Sequence, residues 1–199
     1  VRTLTIRARK SDYVPPRDDA RALPYAEKLS RMVKYDTTSY PNTDQRETFL
    51  GYHKILEELF PLVHARLDKT EIGGSLLYHW KGKSDKYPMV LMGHQDVVPV
   101  SGEWTKPPFS GEISEGKVWG RGSVDTKCSC MAFFQAVEEL LAEGYEPEQD
   151  VWLSTSCTEE WGGPGCPALV EELRKRGVKP WLVCDEGGGL YTDPMMGIK

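Results

Sequence analysis

Pro88-Met89-Val90-Leu91-Met92-Gly93-His94-Gln95-Asp96-Val97-Val98-Pro99 sets an apolar run directly against a histidine and an aspartate two residues apart. A short apolar run bounded by Gly and Pro reads as a buried strand, and here the polar residues fall just beyond its end. The pattern recurs. Val151-Trp152-Leu153-Ser154-Thr155 runs into Thr158-Glu159-Glu160, and Trp181-Leu182-Val183-Cys184 runs into Asp185-Glu186-Gly187-Gly188. Helical patterns separate these runs, so the fold class is α/β, a mixed sheet flanked by helices. In open sheets of this class the loops after the strands form the ligand crevice, because the sheet fixes their roots while the loops are free to vary. His94, Glu159, Glu160 and Asp185 are therefore expected to converge.

Working outward, apolar positions Leu23, Ala26, Leu29, Met32 and Val33 recur at helical spacing and predict a helix over 19–34. A second helix is expected over 44–60, with Asp44 as its cap and Phe49, Tyr52, Leu56 and Leu59 inward. Short strands are expected at 62–67, 75–80 and 89–92, and a Gly- and Pro-rich loop over 99–118. A helix over 127–143 turns Met131, Phe134, Val137 and Leu141 inward and stops at Gly144. A strand at 151–155, a helix at 167–176 with Lys and Arg in its last turn, and a strand at 181–184 complete the pattern. The polar segment 1–18, with Pro15-Pro16, reads as a surface arm.

The chain has 199 residues, 39% of them hydrophobic, enough for one full core. A formal net charge of −5, with no basic run, offers no electrostatic footprint for nucleic acid or an anionic membrane surface. No stretch approaches the roughly 20 apolar residues of a membrane helix, and no signal-peptide pattern stands at the N-terminus. Small molecules are the expected ligands and the cytoplasm the expected compartment. Five cysteines, Cys128, Cys130, Cys157, Cys166 and Cys184, lack a secreted-framework spacing and are expected as reduced thiols. Cys128 and Cys130 stand close enough to Asp125 for a thiolate ligand to be weighed, and small buried thiols are the commoner case.

A histidine and several carboxylates make up the donor set of a site for divalent ions, with one carboxylate left to handle a proton. Each has a bland reading too. A lone His after a strand is more often a hydrogen-bonded structural residue, but Asp96 can accept the imidazole's second N–H and fix the tautomer that offers the other nitrogen to a metal. His53, His64 and His79 lack such acidic neighbours and read as structural. Asp125, after Gly120-Arg121-Gly122, could be simply a turn aspartate before a helix. Glu159-Glu160 could be solvated charge, yet an apolar run precedes the pair and Gly162-Gly163 comes after it.

Together these four phrases, in this order, resemble the zinc aminopeptidase-like metallohydrolase family of carboxypeptidase S, aminoacylase and succinyl-diaminopimelate desuccinylase, nearest the carboxypeptidase S branch. The resemblance covers nearly everything from residue 19 onward, including Trp104 and Pro107-Pro108-Phe109-Ser110-Gly111. It implies a three-layer α-β-α sandwich with a largely parallel mixed sheet. It implies His94, Asp125, Glu160 and Asp185 as metal ligands, Asp125 bridging two ions, and Glu159 and Asp96 as the catalytic pair. It also implies zinc as cofactor, with cobalt or manganese as alternatives, and a cis peptide after Asp125. Thr126 and Cys128 replace residues that the family usually places there, which bears on hydrogen bonding around the site more than on the ligands. Thr158 likewise stands where an Asp is frequent.

The activity implied is hydrolysis of an amide in a dipeptide or small peptide with a free carboxylate; an N-acyl amino acid is the alternative substrate. Family members are about twice as long, so residues 19–199 are expected to be the N-terminal part of a catalytic domain. A lid domain and a second segment, bearing a distal histidine and the substrate's carboxylate anchor, would lie elsewhere. On that reading the fold is incomplete, the chain by itself hydrolyses poorly or not at all, and it pairs with a C-terminal half. A catalytically silent binding or assembly module is the rival, against which the retention of both Glu159 and Glu160 speaks.

Overall fold

The computed structural model describes residues 19–187, so the arm expected at 1–18 lies outside the described residues, as does Gly188. Two helices come first among the described residues, α1 (Asp19–Lys34) and α2 (Arg46–Leu59), and a short α3 (Pro61–Arg66) continues from the second. Strands β1 (Asp68–Ile72), β2 (Ser75–Trp80) and β3 (Ser84–His94) come next. A small hairpin, β4 (Glu112–Ser114) and β5 (Lys117–Trp119), precedes α4 (Lys127–Ala142). Strand β6 (Gln149–Ser156), a 3-10 turn (Glu159–Trp161), α5 (Gly165–Lys175) and β7 (Leu182–Cys184) complete it.

The main sheet has the order β1-β2-β6-β3-β7. Strand β3 runs parallel to both β6 and β7, while β2 is antiparallel to β6 and to β1. The sheet is thus mixed, with parallel strands at the β6-β3-β7 side and an antiparallel hairpin at the other. Alternation along each strand divides the core between two faces. Leu76, Tyr78, Trp80 and Leu153 face α1, α2, α3 and α4, where they pack with Met32, Tyr52, Phe60 and Phe134. Leu77, Val90 and Trp152 point the other way, onto Leu169 and Leu173 of α5. The result is three layers, helix, sheet, helix.

Of residues 62–67, expected as a strand, 62–66 belong to α3 and Leu67 is its extended C-cap. Pro61 occupies the first turn, where its missing N–H costs nothing. The next two amides, Leu62 N–H and Val63 N–H, donate to the Glu138 carboxylate of α4 at 3.0 and 2.9 Å. A cap supplied from more than seventy residues away decides the local structure. Strand β1 falls where no separate strand is expected, although Gly73-Gly74, both at positive φ, makes the two-residue turn that pairs it with β2. Within the loop expected at 99–118, Glu115 and Gly116 turn β4 back on β5. Helix α2 starts at Arg46 with Gln45 in the cap position, so Asp44, expected as the cap, stands one residue before it and accepts the Arg46 N–H at 3.1 Å.

Candidate metal centre

In parallel register His94, at the end of β3, stands beside Ser156, at the end of β6, so both strands deliver the residues beyond them to one edge. The Gln95 N–H donates to the Ser156 carbonyl at 2.7 Å and locks the two exits together. His94 is buried, its Nδ1 lying 2.9 Å from the Asp96 carbonyl oxygen and 3.5 Å from Asp96 Oδ1. That environment places the proton on Nδ1 and turns Nε2 outward as a donor atom for a cation.

Asp96 is fully buried and joins three segments. Its Oδ2 accepts from the Ser39 hydroxyl at 2.6 Å and from the Glu160 N–H at 3.2 Å, while Oδ1 accepts from the Glu159 N–H at 3.1 Å. One carboxylate therefore orients His94 and starts the 3-10 turn that displays the glutamate pair. Burial would raise its pKa, but the hydrogen bonds from His94 and Ser39 hold it below the ordinary aspartate range.

Asp125 reaches the cleft from the turn before α4. Gly122 there has φ +82, and a Cβ would meet Val97 Cγ1 at 2.7 Å, so the turn rests directly on the segment after β3. Lys127, wholly buried, donates from Nζ to the Met32 and Tyr35 carbonyls at 3.0 and 2.8 Å, which ties the start of α4 to the end of α1. The Asp125–Thr126 peptide bond is cis, as the resemblance implied.

These elements bring His94 Nε2 to 3.0 Å from Asp125 Oδ1 and 2.9 Å from Glu186 Oε1, with Glu159 Oε2 at 3.7 Å. Ligand atoms of His94, Asp125 and Glu186 lie within 4.8 Å of one another. Asp185 stands at the expected edge, next to a second carboxylate, Glu186. Both line the cleft: Asp185 Oδ1 accepts the Glu186 N–H at 2.9 Å, and Glu186 Oε1 lies 2.9 Å from His94 Nε2. Strand β7, in parallel register with β3 through Leu91 and Cys184, delivers both carboxylates to this edge. Glu160 does not touch His94; its Oε1 accepts the Val98 N–H at 3.3 Å on the other side of the turn.

Electrostatically the cleft is built for positive charge. Burial pulls the His94 pKa down, but the hydrogen bond and charge of Asp96 and the charge of Glu186 prevail and leave it raised to about 10. Burial raises Glu186 and Glu160 above the ordinary glutamate range, and the charge of Asp125 adds to both. A convergent imidazole and carboxylates that share a proton when metal-free form a donor set that suits zinc, which takes His N and carboxylate O. The cleft, of about 550 Å³, opens between the ends of β3 and β6 and the start of α5.

The other histidines serve the core. His53 Nε2 lies 3.1 Å from the Gly74 carbonyl oxygen and 2.9 Å from the Gln95 side-chain oxygen, and burial lowers its pKa to about 4. His64 bridges Phe60 O and the Tyr78 hydroxyl, and His79 stacks on Trp152 beside Asp150. All five cysteines are unpaired, and Cys130 Sγ donates to the His94 carbonyl from a buried position instead of entering the cluster.

An acid-lined cleft around a presented imidazole, at the strand ends of a three-layer α/β sheet, is the architecture of a metal-dependent hydrolase. The comparisons make the class specific. Residues 90–196 match the model of peptidase family M20/M25/M40, and the chain belongs to that family. It is 38% identical over 180 residues to probable carboxypeptidase S-like 2 of Dictyostelium discoideum, covering 85% of this chain and 35% of that protein. Carboxypeptidase S of Saccharomyces cerevisiae is 37% identical over 184 residues, covering 82% and 32% respectively. Human N-fatty-acyl-amino acid synthase/hydrolase PM20D1 is 34% identical over 173 residues, 84% of this chain and 34% of that one. Among solved structures, the M20 family metallo-carboxypeptidase Sso-CP2 of Sulfolobus solfataricus superposes with a TM-score of 0.67 at 25% identity, over 83% of this chain and 38% of that one. The chain thus spans about a third of the length of these curated relatives.

Proposed function

We propose that the chain contributes the metal-binding and proton-transfer groups for hydrolysis of an amide bond in a dipeptide or small peptide with a free C-terminal carboxylate. The observation that carries this reading is the convergence of His94, Asp125 and Glu186, with the Glu159 carboxylate beside them. His94, Asp125 and Glu186, with Asp185 beside them, would hold one ion, and Glu160 together with Asp125 would serve a second. Zinc, when bound, supplies Lewis acidity and a more acidic water.

The protein's own groups do the rest. Glu159, half-exposed on the cleft wall, takes the proton from the attacking water and returns it to the leaving amine. Asp96 is the positioning residue, because it holds both the His94 ring and the Glu159 amide. Among the described residues no histidine other than His94 lines the cleft, so the two positions are unequal, and the chain alone turns over poorly. Carboxypeptidase S and its S-like relatives support the peptide substrate. The PM20D1 relative supports N-acyl amino acids as the second reading.

Zinc content after dialysis, together with hydrolysis assays on N-blocked dipeptides and N-acyl amino acids, tests this. The chain should retain less than two equivalents of zinc and show weak turnover. A chimera joining it to the remaining length of yeast carboxypeptidase S should hydrolyse one substrate class and lose that activity with Glu159→Gln. A chain that binds no zinc, or a chimera indifferent to Glu159→Gln, would sink the proposal.

A further inference from the structure

A second groove adjoins the metal cleft and plays no part in the chemistry above. It has a volume of about 630 Å³ and lies between α1, the β4–β5 hairpin and the turn that carries Asp125, with Leu29, Trp104, Trp119 and Val124 among its walls. Val124 immediately precedes Asp125, so the crest of the turn separates groove from cleft. Val124 is 81% exposed on that crest. A valine so placed, next to the charge of Asp125, shields nothing within the chain itself.

The two indoles are fixed in place. Trp104 Nε1 donates to the Ser101 carbonyl at 3.1 Å and Trp119 Nε1 to the Ser114 carbonyl at 3.2 Å, so each polar edge is satisfied by its own loop. The Arg121 guanidinium carbon stands 4.9 Å from the centroid of the Trp104 ring, and Lys117 Nζ stands 5.1 Å from that of Trp119. Rings held this way lose little entropy on gaining a partner and offer apolar area to it. The metal cleft, by contrast, gathers His94, Asp125, Glu159, Asp185 and Glu186.

We propose that this groove is the specificity subsite for a large apolar group, aromatic or long alkyl, on the substrate whose scissile amide lies at the His94–Asp125–Glu186 cluster. The inference rests on the hydrolase reading above. Continuity decides the occupant: a ligand extending from the cluster over the Asp125 turn passes Val124 and enters between Trp104 and Trp119. The apolar group could belong to either side of the amide, and the chemistry that recognises it is the same.

The test uses the zinc-loaded chain and calorimetric binding of three hydroxamates: acetohydroxamate, its 3-phenylpropanoyl counterpart and its N-phenethyl counterpart. Burying a phenyl group should tighten one of the latter two about tenfold or more over acetohydroxamate. Trp104→Ala should erase that gain and leave acetohydroxamate binding unchanged. Val124→Lys, at an exposed position, should do the same without disturbing packing, and the tail that responds identifies the side of the amide. A gain that survives both substitutions overturns the assignment. So does the absence of any gain in the unaltered chain, which would leave the groove to another polypeptide segment or a second copy. Failure of all three hydroxamates to bind would overturn the metal-centre reading itself, and the subsite with it.

Discussion

Asp185 and Glu186 pose the sharpest question at the scale of single residues, because adjacent carboxylates present equal charge to the sequence reader and only geometry separates them. Glu186 Oε1 lies 2.9 Å from His94 Nε2, whereas Asp185 folds back on a backbone amide. Glu186→Gln should therefore weaken zinc binding by at least about tenfold, and Asp185→Asn by much less. Competition with a chromophoric chelator measures both, and the reverse order would make Asp185 the ligand. Asp96→Asn tests the positioning role. It replaces an acceptor of three hydrogen bonds with a group that is half donor, so it should cost about 2–3 kcal/mol of stability and at least tenfold in zinc affinity. Denaturant unfolding with and without zinc reads both. His94 and Asp96 are legible in the sequence because their spacing carries a mechanism. Glu186 is legible only as the neighbour of Asp185, since two adjacent carboxylates after β7 differ in no local sequence signal.

Elements are legible where the signal is local. Apolar periodicity marks α1, α2 and α4, and the runs before His94 and Glu159 mark the ends of β3 and β6. Segment 62–67 is not legible in this way, because its apolar and branched residues suit a strand and its helical state depends on Glu138, one helix of the core away. That dependence is measurable. Glu138→Ala leaves two first-turn amides of α3 without their acceptor and should lower stability by about 1–2 kcal/mol. Zinc affinity should not change, since α3 packs on the side of the core away from the cleft and lines none of it. An unchanged unfolding midpoint would mean that Pro61 and packing alone determine this turn. The β1–β2 hairpin is legible in principle from Gly73-Gly74, but a strand expected too early in the chain, at 62–67, hides the turn signal.

For the whole molecule, the consequence of collecting this much acidity around one buried imidazole is a competition between a proton and a metal. With chelator present, the His94 pKa is raised to about 10, above the 6.5 of an unfolded histidine. Its contribution to stability is then fully present below pH 6.5 and is lost as pH rises through about 10. Lys127 acts in the opposite direction. Burial lowers its pKa to about 7, so between there and 10.5 the unfolded chain binds the extra proton and stability rises with pH. The His94 share is isolated by subtracting the pH profile of His94→Asn, and the difference should fall from about pH 7 to about pH 10. Zinc requires the Nε2 lone pair, so it must displace that proton, and its apparent affinity should rise by up to about tenfold per pH unit between about pH 7 and 9. Calorimetry in buffers of differing ionisation enthalpy should find close to one proton released per zinc at about pH 7.5. Zinc binding that is independent of pH and releases no proton would mean that the metal-free His94 is already neutral in this range, and the coupling of imidazole and carboxylates through a shared proton would be wrong.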